Sequence, residues 1–426
     1  MKLWDKGISI DKTIETFTVG DDRDIDLYIA KYDLQASLAH AKMLAHIGIL
    51  NNSELKQVED AIGELQEEEE RGIFKIENQF EDVHSKIEHE LTQRIGTAGK
   101  KIHTARSRND QVLVALQLYY KDNLNHIQNQ VKVLFGTLLD LAEQHKSKLL
   151  PGYTHLQVAM PSSFGLWFSA YAESLIDDVM VLQSAQKVVD QNPLGSAAGY
   201  GSSFPIDREM TTDLLNFSDL KYNVVSAQMA RGKNEQIIAS SLGNLAFTLS
   251  KFAMDICLYM SQNFDFISFP EQLTTGSSIM PHKKNPDVFE LIRAKCNGLQ
   301  GLASQMQLMT NNLPSGYHRD FQLLKSPMIS AFETLKTVLS IFDYGLQKIE
   351  VKSVNLEDDK YKYLFTVDSI NSLVQNGATF REAYQVIGAQ VQDGSYARGT
   401  RHKHKHIGAI DNLALDKIKA KFPELN

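Results

Sequence analysis

RNDQVLVALQLYYKDNLNHIQNQVKVLFGTLLDLAEQHKSKLL, residues 108–150, contains no proline and a single glycine, Gly136. Within it Leu113, Tyr120, Leu124, Ile127, Val131, Leu134, Leu138 and Leu141 recur at steps of three and four, with one skipped position at Gln117. That spacing lays one apolar stripe along a helix, whereas a strand would alternate every second residue. At a helical rise the segment extends about 60 Å, far beyond the usual helix of ~10–14 residues. A helix this long needs partners along its whole length, so it predicts a long bundle that packs against further copies of the chain.

The same reading extends outward. All ten prolines lie at or after Pro151, leaving long proline-free tracts. From Ser162 to Asn192 the positions Phe164, Phe168, Tyr171, Leu175, Val179 and Leu182 repeat the pattern, with Pro161 suited to a first helical position. From Lys233 to Phe269 the stripe is Ile238, Leu242, Leu245, Leu249, Phe252, Ile256 and Tyr259. Asn285-Pro286-Asp287 announces a fourth helix, expected to run to about Asn312. No stretch alternates in the strand manner over more than a few residues. The expectation is an all-α chain of three helical domains. A smaller N-terminal unit spans 1–105, the long-helix bundle 106–353, and a short helical unit 354–426. A length of 426 residues agrees with about three domains.

Composition excludes several classes. Hydrophobic residues at 43% and charged ones at 23% describe a folded chain. Uninterrupted apolar runs are too short for a membrane span, and the opening MKLWDKGISI has no export core, so a cytoplasmic location is expected. Cys257 and Cys296 are the only cysteines, too few for a disulfide framework or a closed zinc site. A net charge of -8 without a basic stripe disfavours nucleic acid. GTAGKK at 96–101 lacks phosphate-loop spacing, and GYGSSF at 199–204 lacks the third glycine of a dinucleotide fingerprint. His84 and His89 are wrongly spaced for a zinc-binding helix, and the lysines between His402, His404 and His406 argue for a solvated loop. No metal and no cofactor are expected.

Four polar segments interrupt the helical pattern. In HTARSRNDQ, residues 103–111, every residue but Ala105 can hydrogen-bond, just ahead of the long helix. One cap needs one such residue, so the rest predict a binding loop. Two arginines at a helix start oppose its dipole unless an anion lies between them. GYTHLQ, 152–157, stands between two helices and holds His155. GSSIMPHKKNP, 276–286, combines glycine, small serines and lysines before a helix N-terminus, the parts that hold a carboxylate gaining charge. YHRDFQ, 317–322, with Lys325 behind it, is the fourth and the weakest signal.

GSSIMPHKKNP resembles the signature loop of the fumarase/aspartase superfamily, whose members eliminate fumarate from succinyl compounds. HTARSRNDQV and GYTHLQ are similar to its argininosuccinate lyase branch, and PLGSAAGYGSSFPIDRE (193–209) and FREA (380–383) follow in the matching order. The resemblance covers nearly the whole chain. It implies a homotetramer around a shared twenty-helix core, with each active site assembled from three subunits. It also implies reversible cleavage of argininosuccinate to arginine and fumarate without a cofactor. By the same resemblance Ser277 is the base, His155 the second acid/base group, and Glu290 the carboxylate paired with it. Lys283 and Asn285 match contacts to the fumarate-side carboxylates. Ser107, Arg108, Asn109 and Thr154 match substrate contacts, and Tyr317, Gln322 and Lys325 match contacts to the arginine side. There are departures. Val158-Ala159-Met160 follows GYTHLQ in place of Arg-Ala-Gln, Leu113-Val114-Ala115 replaces Ala-Thr-Asp, and Leu323-Leu324 replaces an acidic pair.

The chemistry such a reaction needs can be stated without the resemblance. Breaking a C–N bond beta to a carboxylate requires removal of a weakly acidic C–H proton. The carbanion survives only if the carboxylate takes up its charge. A base, a positive cradle and an acid for the leaving nitrogen are therefore required. Two alternatives stand beside this reading. One is a superfamily lyase for another succinyl adduct, a modified argininosuccinate or adenylosuccinate. The other is a non-catalytic, crystallin-like structural relative.

Overall fold

The computed structural model describes residues 11–425, so the opening MKLWDKGISI lies outside the described residues. The principal helices are α1 (Ala30–His46), α2 (Asn52–Glu70), α3 (Val83–Ile95) and α4 (Arg108–Gln144). A hairpin of β1 (Leu149–Thr154) and β2 (Gln157–Ser163) follows, then α5 (Phe164–Val189) and α6 (Lys233–Met260). Next come α7 (Asp287–Gln300), α8 (Leu302–Thr310), α9 (Lys325–Leu346), α10 (Thr366–Gln375), α11 (Phe380–Gln392) and α12 (Leu415–Lys421). The chain is all-α, with only short two-stranded ribbons. Every position of the α4 stripe is buried, and so is Gln117, where the stripe skips.

The described chain divides into two compact units. One comprises the described residues up to Gln128 with Met180–Ala246 and Gly298–Lys336; the other comprises Asn129–Val179, Phe247–Asn297 and everything from Thr337 on. In the first unit Tyr119 and Tyr120 of α4 pack on Phe332 of α9, with ring centroids 5.8 and 6.1 Å away. In the second, Tyr171 of α5 stacks on Phe252 of α6 at 4.1 Å, and Phe252 stacks on Phe342 of α9 at 5.1 Å. Asp255 accepts hydrogen bonds there from Trp167 Nε1 at 3.1 Å and the Tyr171 hydroxyl at 2.6 Å, so the polar tips of both rings are satisfied.

Several expectations need correction. Pro161 sits in β2 rather than at a first helical position, because residues 149–163 pair as an antiparallel hairpin. The third long helix ends at Met260, and the fourth breaks at Gly301 into α7 and α8. α9 carries no sequence boundary of its own, since a 3-10 turn over Arg319–Leu324 runs straight into it. Lys233–Met260 is long and apolar enough to cross a membrane by length and composition alone, and 56% of an apolar 18-residue stretch within it is buried inside the chain. The histidine-rich segment is an irregular, largely exposed loop, as expected, and it is fastened at several points. His404 Nε2 lies 2.8 Å from buried Asp368, His402 Nε2 2.8 Å from the Ser372 hydroxyl, and Arg401 pairs with Asp411 at 2.6 Å.

Candidate active site

The first of the predicted segments opens α4. Ser107 Oγ accepts from the Asn109 amide at 3.2 Å, while Asp110 accepts from the Ser107 amide at 3.0 Å, so the two residues cap the helix reciprocally. The other Asp110 oxygen accepts from the Gly195 and Ala197 amides at 3.0 and 2.9 Å. Burial raises the Asp110 pKa against the opposing pull of Arg106. The anion expected between the arginines is supplied by the chain itself. Arg106 reaches buried Asp33 at 3.1 Å, and Arg108 reaches Glu81 at 3.3 Å, Asp82 at 3.2 Å and the Ser85 hydroxyl at 2.8 Å. These carboxylates stand well before the arginines in the chain and neutralise them without a bound ligand.

Arg108, Tyr317, Gln322 and Lys325 line one cavity of about 40 Å³ in the first unit, together with Asp22, Asp26, Glu81, Asp82 and His84. Lys325 is buried, and its ammonium pairs with Asp22 at 2.7 Å and Asp26 at 2.5 Å. Burial works against that charge, but Asp26 and Asp22 outweigh it and raise the lysine pKa. Gln322 donates to the carbonyls of Thr18 at 2.9 Å and Val19 at 3.1 Å, and the Tyr317 ring meets Phe321 edge-on at 6.0 Å. Asp22, Asp26, Glu81 and Asp82 are cavity residues that no sequence motif assigns to the site. Their only sequence signal is a density of acidic residues at 21–26 and 81–82.

Thr154 and His155 belong to the second unit, at the exposed tip of the hairpin. His155 and Leu156 are its two central residues, and both have left-handed backbones, with φ of 54° and 59°. A two-residue turn of that hand matches the strand twist, but asparagine and glycine are its usual occupants. Two bulky residues held there are strained, a feature that concentrates at functional sites. Gly152 is required by packing, because a Cβ there would stand 2.7 Å from the Met160 carbonyl oxygen. Val158, the departure from Arg, packs against Tyr361, Leu364 and Phe365.

Ser277, Lys283 and Asn285 share the loop that feeds α7, and Glu290 follows within the helix, also in the second unit. Thr275 and Asn285 close its neck through paired backbone bonds of 3.4 and 2.8 Å, and the Asn285 amide donates to the Gly276 carbonyl at 3.2 Å. The Thr275 hydroxyl also donates to Asp287. Ser277 Oγ accepts from the amides of Met280 at 3.2 Å and Ile279 at 3.4 Å. Lys283 projects from the exposed arc, and Glu290 lies on the first turn of α7 with Arg293 3.8 Å away. Among the described residues no hydrogen bond joins this loop to His155.

Residues 7–301 match the sequence model of a lyase family. The argininosuccinate lyase of Bacteroides fragilis is 52% identical over 419 residues, spanning 98% of this chain and 94% of that one. The chain belongs to the argininosuccinate lyase family. The Thermotoga neapolitana argininosuccinate lyase is 41% identical over 91% of this chain and 97% of its own length. Among solved structures, EDDS lyase in complex with formate superposes with a TM-score of 0.76 at 20% identity, covering 97% of this chain and 89% of that one. The class II fumarase of Schistosoma mansoni superposes with a TM-score of 0.75 at 16% identity, covering 89% and 88%. The structural likenesses establish the fold alone.

Proposed function

We propose that this chain catalyses the reversible elimination of fumarate from argininosuccinate, releasing L-arginine. The observation that carries the reading is 52% identity to an argininosuccinate lyase over 98% of the chain. In the proposed mechanism Ser277 removes the proton from the succinyl carbon next to the carboxylate. The amides of Ile279 and Met280, already aimed at its oxygen, would stabilise the alkoxide that a serine base requires. The carboxylate takes up the charge against Lys283 and Asn285. His155, with Glu290 beside it in the family's arrangement, delivers a proton to the leaving guanidino nitrogen as the C–N bond breaks. Thr154, Ser107, Arg108 and Asn109 hold the substrate, and Tyr317, Gln322 and Lys325 face its arginine side. No cofactor takes part.

The working assembly in this reading is a cytoplasmic homotetramer with a twenty-helix core, in which three chains complete each site. The exposed apolar side chains of Phe247 and Met254 on α6 and Leu291 on α7 support it, since they offer apolar surface that a partner can cover. The test is to incubate purified protein with argininosuccinate, and separately with adenylosuccinate, and to follow fumarate by ultraviolet absorbance. Release from argininosuccinate alone is expected. Release from adenylosuccinate alone would move the assignment to the purine substrate, and release from neither would favour the non-catalytic alternative.

A further inference from the structure

His84, the second residue of α3, has no role in the mechanism above, yet its ring faces the cavity that holds Arg108, Tyr317 and Lys325. The ring is 3% exposed. Its Nδ1 lies 2.8 Å from Asp33 Oδ2. Asp33 is itself completely buried and also receives Arg106 at 3.1 Å and the Gln111 amide at 2.9 and 3.1 Å. The Asp33 carboxylate therefore fixes both the orientation and the Nδ1 proton of the ring. Nε2, on the opposite edge, is buried without a hydrogen-bond partner. Burial disfavours a charged ring, but Asp33, then Asp82 and Asp26, raise the His84 pKa, which favours the form with a proton on both ring nitrogens. A buried, unpartnered ring nitrogen on a residue that lines a cavity marks a place where a partner can arrive.

The lining identifies that acceptor's class. Asp22, Asp26, Glu81 and Asp82 stand alongside Arg108, Arg231, Arg319 and Lys325. A dicarboxylate would meet the acidic groups at close range. A zwitterionic α-amino-acid head places an ammonium and a carboxylate on neighbouring atoms and can use both signs. The volume, about 40 Å³, accommodates a few water-sized atoms, which suits a headgroup and excludes a long chain. We propose that His84, oriented by Asp33, is a substrate-positioning residue whose Nε2–H donates to the α-carboxylate at the amino-acid end of the substrate. The proposal rests on the argininosuccinate reading and adds a residue that the motif-carrying segments do not contain.

The experiment compares arginine with agmatine, which is arginine without its carboxylate, by titration calorimetry on the full-length protein. Wild type is expected to bind arginine more tightly than agmatine. In His84→Leu, arginine affinity should fall about tenfold to a hundredfold, the scale of a lost charged hydrogen bond. Agmatine and fumarate affinities should stay within about twofold, and KM for argininosuccinate should rise more than kcat falls. An unchanged arginine-to-agmatine ratio overturns the proposal. So does an equal loss for all three ligands, which would make His84 part of the scaffold only. Should His84→Leu fail to fold, His84→Gln, whose amide can still reach Asp33, decides by the same ratio. Wild type that releases fumarate and binds arginine keeps the broader reading whatever His84 does; wild type that does neither removes both.

Discussion

Asp178 on α5 shows how one side chain can tie stability to pH. It is 6% exposed, and its Oδ2 has no hydrogen-bond partner. Burial pushes its pKa up to about 7, against a hydrogen bond from Thr248 and with some help from Asp177. The folded pKa lies above the unfolded one, so the folded chain binds the proton more tightly. Stability is therefore unaffected below the unfolded value, falls as pH rises through the window between 3.8 and about 7, and stays low above it. The penalty at pH 8 is at most about 4 kcal/mol, at 1.36 kcal/mol per pKa unit. Asp178→Asn should raise the melting temperature at pH 8, with an advantage that shrinks as pH is lowered toward 5. A pH-independent difference between variant and parent, read by calorimetry, would remove the account. Single residues were unevenly legible in the sequence. Ser277 and Asn285 could be named because their loop is contiguous, and the structure closes its neck between Thr275 and Asn285. His84 draws notice in the sequence only as a zinc ligand of the wrong spacing, because what makes it notable is Asp33, which stands on another helix far back in the chain.

Among elements, the legible ones were those whose burial runs the length of a helix. The α4 stripe from Leu113 to Leu141 is buried throughout, because its period and the helix period agree. The hairpin was not legible for a matching reason. β1 and β2 are short, pair out of step between Pro151 and Tyr153, and are half-exposed, so no alternation accumulates. Its turn also lacks the asparagine–glycine pair that announces such turns, since His155 and Leu156 occupy the left-handed positions. That choice makes a prediction. Leu156 is 72% exposed and contributes little burial, so Leu156→Gly should stabilise the chain by about 1 kcal/mol by relieving one left-handed side chain. Turnover should fall in the same variant if the strained tip serves to hold His155 in one direction. Stabilisation with unchanged turnover, in paired melting and fumarate-release measurements, would make the strain incidental.

For the whole molecule, the proposed residues form two sets, and their exposure bears on assembly. Arg108, Gln322 and Lys325 line a cavity together with their own unit's carboxylates, and Lys325 is buried. His155 and Lys283 are exposed, with no cover among the described residues to exclude water from them. Acid–base chemistry on a weakly acidic C–H bond needs a water-poor site, so these exposed groups require cover from elsewhere. The bare apolar residues Val133, Phe247, Leu291 and Ile341 on the long helices offer a surface by which further copies could supply it. Ser277→Ala and His155→Asn chains, each inactive alone, therefore test whether one site draws these groups from different copies. If it does, equal mixing after reversible dissociation leaves about a quarter of the sites with both native groups, by independent draw from the two chain types under closed symmetry. Fumarate release should then return to about a quarter of the wild-type rate, and only after exchange. Full exchange, confirmed by native mass spectrometry of differently tagged chains, with no recovered turnover would mean that Ser277 and His155 act from the same chain.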